Sequence, residues 1–425
     1  MKICLISPLP FFPNSSGATA RMVSIVKFLE SKGHEVSVVL PYRYQETEKD
    51  YLKFCSGKRI RFLRLFSSSI PHLPEETKTN YWGFLKRIRN LLPFNIAFFS
   101  PMQLAELFNE LKKNKPHLII AEFDGSWLLG YILKRLLKLP LIIDKHNIES
   151  ILYCRLLRQK TSGLSFIEKR KVQIVTLMES FVWRNCEGIV VVSKHDLITA
   201  QRMFGYKKNV VAAQNGVDLG ELSFCNERER THELLQLPVD CKIMVFHGLG
   251  TYGPNIDACQ RLMNRILPMT QKLLLNQEVF VVIIGPGMAP KNKIYKRNHI
   301  RLVGEVLKPE LYEIIRNSDV AVIPLRSGSG TRLKILEYFL LNLPVIATSL
   351  AAEGLLLKDG VELLIRNEDE EIAKAIIEIF SNPFLSKRLT ESAHELVIER
   401  FDWNFVLQPL QELAVRLGTQ PLEKC

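Results

Sequence analysis

Residues 319–349 read DVAVIPLRSGSGTRLKILEYFLLNLPVIATS. Two short apolar runs, DVAVIPL and LPVIATS, enclose a Gly/Ser-rich loop and a helical segment, Leu333–Leu341. Short apolar runs separated by helices are the sequence pattern of a parallel sheet covered on both faces. The helix is apolar almost all the way round, yet it carries one cation, Lys334, and one carboxylate, Glu337. At about 100° per residue these two stand about 60° apart, and Glu337 lies about 40° from Leu333. A charge on a buried face is costly without a partner. If Lys334 and Glu337 simply paired with each other, the gain would be a few tenths of a kcal/mol. The alternative is that both are held out for a ligand.

The same alternation extends in both directions. The first 50 residues read as β-loop-α-β: KICLIS, the turn-rich PLPFFPNSSG, the helically spaced ATARMVSIVKFLESKG and the alternating HEVSVVL. PHLIIAEF, a helix at 126–138, LPLIIDKH, a long helix at 163–185 and EGIVVVSKHD continue the theme. A second series follows VVAAQNGVDL: KIMVFHG, a helix from 254, VFVVIIG, IRLVGEV, a helix at 308–317 and then the stretch quoted first. The chain therefore reads as α/β, with two Rossmann-like, doubly wound halves joined near 205–240 and a final helical stretch at 384–417. Ligands of open parallel sheets bind beyond the carboxyl ends of the strands. The loops SPLPFFPNSSG, DKHN, HGLGTYGPN and PLRSGSGTR are placed there, and two such sheets facing each other would form a central cleft. MAPKNKIYK, after Gly285-Pro286-Gly287, reads as a surface loop.

Composition sets the outer limits. A chain of 425 residues that is 47% hydrophobic and 24% charged is globular and long enough for two or three domains. No apolar run approaches the about 20 residues of a spanning helix. MKICLISPLPFF reads as a first strand and its loop and not as a signal peptide. The 8 cysteines are scattered without a CxxC pair, which fits a reducing cytoplasm and offers neither a zinc site nor a disulfide framework. Charge is unevenly placed: residues 1–210 carry 33 Lys and Arg against 17 Asp and Glu, whereas 211–425 carry 24 against 27. The densest part includes the basic and aromatic YWGFLKRIRNLLPFNIAFF. A basic half suggests an anionic partner, with a merely solvated face as the other reading.

The SGSGTR loop, after a strand and opening a helix, is a candidate anion site, since N–H groups at a helix start are free and the dipole favours negative charge. Arg332 can fork onto two phosphate oxygens and Lys334 can add a point charge. Strictly helical positions would put them about 160° apart, so Arg332 must bend back from the first turn to share a ligand with Lys334. His146 in LIIDKHNIES lies just past a strand, with Asp144 and Glu149 nearby; either a structural or a functional role fits. NSSG at 14–17 offers N–H groups near the first helix, or is simply a turn. The first loop is not a GxGxxG, and there is no P-loop, HExxH, GxSxG or Asp-x-Asp pair, so neither a metal nor a cofactor is expected.

Taken together, these segments resemble the GT-B nucleotide-sugar glycosyltransferases, and within them the retaining family 4. FFPNSSGATARMVSIVKFLESKGHEVSVV is similar to the family's N-terminal glycine loop, helix and second strand. VVSKHD and QNGVD are similar to the segments entering the second domain, and GSGTRLKILEYFLLNLPVIATSLAAEGL to the donor-binding signature. The resemblance implies that Glu337 is the second carboxylate of the E-x7-E motif, bonded to the donor ribose. The first carboxylate would fall at Ser329, so this is a GTRLK variant. The family's Arg/Lys pair has no counterpart in HGLGTYGPN, and Arg332 and Lys334 are then expected to hold the diphosphate. His146 matches the histidine near the reacting sugar, and Gly17 matches the loop packed against donor or acceptor. Gly248, Gly328, Ser329, Gly330 and Thr331 complete the expected donor-binding set.

The implied activity is metal-free transfer of a sugar, with retention, from a nucleoside-diphosphate sugar to a glycan or lipid-linked acceptor. The expected domains are 1–205 for the acceptor, 206–395 for the nucleotide sugar and a helix in 396–425 packing back toward the first. The basic first half points to peripheral association with an anionic membrane on its cytoplasmic face. Nucleic acid is not an expected partner, for want of a recognisable module. A non-catalytic GT-B subunit and a GT-B sugar-nucleotide epimerase are the other readings.

Overall fold

A computed structural model describes residues 1–8, 11, 16–40, 48–64, 101–160, 164–221, 228–274, 277–290 and 293–419. The basic and aromatic stretch 81–99 and most of the first loop, 9–10 and 12–15, lie outside these residues. The chain divides into two units, one of Met1–Asn14, Ala18–Gln214 and Leu407–Cys425, the other of Ser15–Gly17 and Asn215–Val406. Apart from the short Ser15–Gly17 segment, the crossings fall at 214/215 and 406/407, whereas the sequence reading placed the joins at 205/206 and 395/396.

In the first unit, seven short runs form strands β1 (Lys2–Ile6), β2 (Glu35–Leu40), β3 (Ile60–Arg64), β4 (Leu118–Glu122), β5 (Leu141–Lys145), β6 (Gly188–Val191) and β7 (Val210–Ala212). All are parallel, in the order β3-β2-β1-β4-β5-β6-β7. Every residue of β4, β5 and β6 is buried, as continuous apolar runs with helices on both faces require. The strand order reverses beside β1, so the ends of β1 and β4 flank a topological switch point. The expected long helix at 163–185 begins at Phe166, where Ser165 and Glu168 form a capping box, and Glu149–Lys160 is a separate helix.

The C-terminal helix Gln408–Thr419 belongs to this unit and packs on β4, β6 and β7. Glycine at the start of β6 allows the approach: a Cβ on Gly188 would lie 2.9 Å from Leu417 Cδ1 and 3.1 Å from Leu413 Cδ2. His34 Nε2 to Gln411 Oε1, at 3.0 Å, fixes the other side of the helix.

The second unit carries β8 (Lys242–His247), β9 (Val279–Ile284), β10 (Ile294–Arg297), β11 (Ile300–Val303), β12 (Val320–Ile323), β13 (Val345–Ala347) and β14 (Leu364–Ile365). Their order is β10-β11-β9-β8-β12-β13-β14, parallel except for the β10–β11 pair. The expected surface loop 288–296 is corrected here, because Ile294–Arg297 forms an antiparallel edge strand. That strand is exposed from Tyr295 onward, so no apolar run announces it, and its Lys296 and Arg297 suit an unpaired sheet edge. The switch point lies between β8 and β12. The quoted stretch supplies β12, the helix Leu333–Leu340 and β13, so the helix starts in the loop that follows the carboxyl end of β12.

Candidate active site

In the second unit the side chains converge at the carboxyl end of β8. The helix Leu333–Leu340 buries Ile335, Leu336, Tyr338, Phe339 and Leu340, which anchors it and fixes where Lys334 and Glu337 point. They do not pair with each other among the described contacts. Glu337 Oε2 accepts from His247 Nε2 at 3.0 Å, and its Oε1 accepts from the Tyr312 hydroxyl at 3.1 Å. Burial alone would raise this carboxyl; the bond and charge of His247, the charge of Lys308 and the Tyr312 bond outweigh it and hold Glu337 down at about 2. Its side chain keeps 20% of its surface open. His247 is itself fixed by its neighbour on the helix: its backbone N–H donates to the Tyr338 hydroxyl at 2.9 Å, and that hydroxyl lies 2.9 Å from Nδ1. Nε2 is thereby left to face Glu337.

Lys334 turns the other way, donating to Asn255 Oδ1 at 3.2 Å and lying 3.9 Å from the centre of the Phe246 ring. Burial pulls its ammonium down to about 7. Gly248 is needed beside it, since a Cβ there would fall 2.8 Å from Lys334 Nζ and 2.7 Å from Asn255 Nδ2. Arg332 is the N-cap of the helix, with extended dihedrals of −96° and 96°. The helical angle that separated it from Lys334 in the sequence reading therefore does not apply. Its Nη1 donates to the Gly330 carbonyl, and Gly328, at φ +126°, leaves the space that its Nη2 takes. Thr331 Oγ1 accepts from Asn215 Nδ2 at 2.7 Å, which fastens the loop. Ser329 is half-buried in the same loop. Gly248, Gly328, Ser329, Gly330, Thr331, Arg332, Lys334 and Glu337 therefore all lie on two loops and one helix around the β8–β12 switch point.

The first unit has its own cluster at its switch point. Arg21, on the helix Gly17–Ser31, grips Asp144 with two bonds of 2.8 Å, and both side chains are fully buried. His146 Nε2 lies 3.0 Å from Glu122 Oε2 and 3.4 Å from Asp144 Oδ2. Its ring stacks on Phe123 at 3.6 Å between centroids, and Phe123 holds a left-handed φ of +59° to do so. Burial raises Glu122 to about 7, helped by the Asp144 charge and opposed by His146 and Arg21. Asp144 stays well below its usual range because Arg21 outweighs its burial. Burial works against the charged His146 ring, but the bonds to Asp144 and Glu122 raise it. Ligand atoms of Glu122, Asp144 and His146 lie within 4.8 Å of one another. Arg21 donates to both oxygens of Asp144, so any cation held by these three groups would sit beside a fixed positive charge. Gly17 is the first residue of the helix that carries Arg21, and it is exposed.

Two family models match this chain. Residues 15–221 match Glycosyltransferase Family 4, and residues 242–382 match Glycosyl transferases group 1. The chain is a glycosyltransferase of the GT-B type. An uncharacterized 44.6 kDa protein in the cps region of Klebsiella pneumoniae is 22% identical over 94% of the chain and 96% of its own length. The phosphatidyl-myo-inositol mannosyltransferase of Mycobacterium leprae is 24% identical over 53% of the chain and 58% of its own length. The chitobiosyldiphosphodolichol beta-mannosyltransferase of Candida albicans is 25% identical over 63% and 60%. Among solved structures, sucrose-phosphate synthase from Thermosynechococcus elongatus superposes with a TM-score of 0.70 at 14% identity, over 98% of this chain and 99% of the other. Anabaena HepE, solved in complex with UDP-glucose, gives 0.68 at 14%, over 99% and 100%.

Several residues of the glycosyltransferase's two clusters were not singled out by sequence reasoning: His247, Tyr312, Tyr338 and Asn255 in one, Arg21 and Glu122 in the other. His247 and Glu122 each end a strand, at β8 and β4, which is the signal that could have found them. Two surface cavities, of about 650 Å³ beside Lys2 and Arg61 and about 580 Å³ beside Phe280 and Arg301, open at the amino ends of the strands and share no residue with either cluster.

Proposed function

We propose that this glycosyltransferase is a retaining enzyme that moves a sugar from a nucleoside-diphosphate donor to a glycan, lipid-linked or other cell-surface precursor acceptor, without a metal. The observation that carries the reading is Glu337, an ionised carboxylate fixed by His247 and Tyr312 yet partly open. Each oxygen already accepts one bond and retains a lone pair for a second, so the group suits the paired hydroxyls of a ribose. Arg332, Lys334 and the start of the helix Leu333–Leu340 then meet the diphosphate and stabilise the charge it gains as it leaves.

In the transfer itself, the bond from the anomeric carbon to the diphosphate oxygen breaks as a bond to the acceptor oxygen forms on the same face. The departing phosphate oxygen takes the acceptor proton. His146 serves the reacting sugar by hydrogen bonding from a ring whose orientation Phe123 and Glu122 fix. The names of the two mannosyltransferase relatives, with their phosphatidyl-myo-inositol and dolichol acceptors, support a lipid-linked acceptor.

A thermal-shift panel of UDP, GDP and ADP tests the donor part. At least one should raise the midpoint of the wild type and leave Glu337→Ala and Lys334→Ala unmoved; no rise with any of them would overturn it. Ser329, where the family carries a carboxylate, favours one second reading, a non-catalytic subunit. Tight nucleotide binding with neither hydrolysis nor transfer would decide for that reading.

A further inference from the structure

The helix Phe166–Asn185 of the first unit carries its buried residues, Val175, Glu179, Val182 and Trp183, on one side. On the opposite side five large apolar side chains stand in solvent: Phe166 at 71%, Ile167 at 66%, Ile174 at 45%, Leu177 at 70% and Phe181 at 43% exposed. At about 100° per residue these five fall within about 100° of one another, centred opposite the core-facing stripe. Scattered exposed apolar residues need no explanation, but a continuous stripe marks an interaction surface. The inner edge of Phe181 meets the rings of Trp127 and Tyr131, both at 5.6 Å between centroids, but large apolar side chains at the water-facing positions of a helix otherwise add nothing to the fold.

The charges along the stripe are of one sign. Arg170 and Arg184 lie within it, and Lys169 and Lys171 flank its first turns. Of the two carboxylates of the helix, Glu168 is turned back on Ser165 in the capping box, and Glu179 is buried against Lys145 at 2.8 Å. Neither offsets the cations of the exposed face. Apolar side chains interleaved with cations, on a helix lying along the protein surface, are complementary to one occupant in particular: the headgroup region of an anionic bilayer.

We propose that the exposed face of Phe166–Asn185 is the surface by which this protein docks on an anionic membrane, with Phe166, Ile167, Ile174, Leu177 and Phe181 entering the headgroup boundary and Arg170 and Arg184 meeting lipid phosphates. This deepens the lipid-linked acceptor reading, since it gives the enzyme a surface that brings it to such an acceptor. No helix among the described residues is long and apolar enough to cross a membrane, so attachment through a face is the form of association available to them.

The test is sedimentation of the full chain with vesicles of phosphatidylcholine alone and of phosphatidylcholine with 30% phosphatidylglycerol, the composition being about that of a moderately anionic leaflet. The wild type should pellet with the anionic vesicles only, and less at 0.5 M salt. Ile174→Ser with Leu177→Ser, and separately Arg170→Gln with Arg184→Gln, should each weaken partitioning about tenfold while keeping the wild-type thermal midpoint. Equal binding to both vesicle types, binding unchanged in both variants, or a dimer in sedimentation velocity that the Ile174/Leu177 variant abolishes would overturn the proposal; the last result would make the face an interface between copies. The vesicles contain no donor or acceptor, so absence of sugar transfer leaves this outcome unaffected, and absence of docking leaves the transferase reading to its own assay.

Discussion

His247 and Glu337, 90 residues apart, meet at 3.0 Å at the carboxyl end of β8, and the tyrosine next to Glu337 turns back to hold the histidine that holds it. The loop Tyr338, His247, Glu337 is closed, so the carboxylate cannot be moved without disturbing the strand end. That arrangement gives a definite pH signature. Glu337 sits at about 2 in the folded chain against an ordinary 4.5, so the folded state holds its proton less tightly than the unfolded one. Its stabilising contribution is complete above about pH 4.5 and is lost as the pH falls from there to about 2. Urea midpoints of the wild type and Glu337→Gln, compared between pH 7 and pH 3, should converge as the solution is acidified. A gap that stays constant would mean that the carboxylate is not held ionised by His247.

Lys334 should titrate close to neutrality. In the free protein its ammonium is drawn down to about 7 from 10.5, so the folded chain gives up this proton before the unfolded chain does. Between those values the unfolded state binds more protons, and the contribution of this group to stability rises with pH. A bound diphosphate reverses the preference by placing negative charge beside it. Binding of a nucleoside diphosphate at pH 8 should therefore take up close to one proton, seen by calorimetry in buffers of different ionisation enthalpy. Lys334→Met should abolish the uptake and weaken binding by roughly tenfold or more, the scale of a charge-assisted bond.

How much of this was written in the sequence differs from residue to residue. The sheet strands are apolar runs and could be read directly, and Glu337 announced itself by being a carboxylate on an apolar helix. What it meets could not be read, because His247 and Tyr312 come from a different strand and a different helix, and only the fold brings them together. Arg21 is the plainest loss. A cation on an amphipathic helix reads as solvent-facing, and nothing local says that its partner is Asp144, 123 residues on. Strand β10 was missed for the opposite reason: at a sheet edge three of its four residues face water, so the apolar signal that marks a strand is missing.

Arg21 and Asp144 make a sharp case of a buried pair. With both side chains fully buried, removing one partner leaves the other's charge shielded from bulk solvent and without its main counter-charge. Arg21→Met should cost about 3–5 kcal/mol in urea denaturation. The double change Arg21→Met with Asp144→Leu should cost clearly less than the sum of the two singles, because no charge is then left alone. Additive costs would show that the pair is solvated in the folded chain.

The return of the C-terminal helix to the first unit rests on a missing side chain. A Cβ at residue 188 would press on Leu417 Cδ1 at 2.9 Å, Ile142 Cγ1 at 3.1 Å and Leu413 Cδ2 at 3.1 Å, all of them packed branched side chains with little room to give. Gly188→Ala should destabilise the chain by about 1–3 kcal/mol, although alanine suits a strand no worse than glycine does. The overpacking origin can be separated from a backbone effect by pairing the change with Leu417→Ala, which removes the atom closest to the new Cβ. If the helix packs as described, the double variant should be more stable than the sum of the single losses predicts, and thermal denaturation of the four proteins measures the coupling directly.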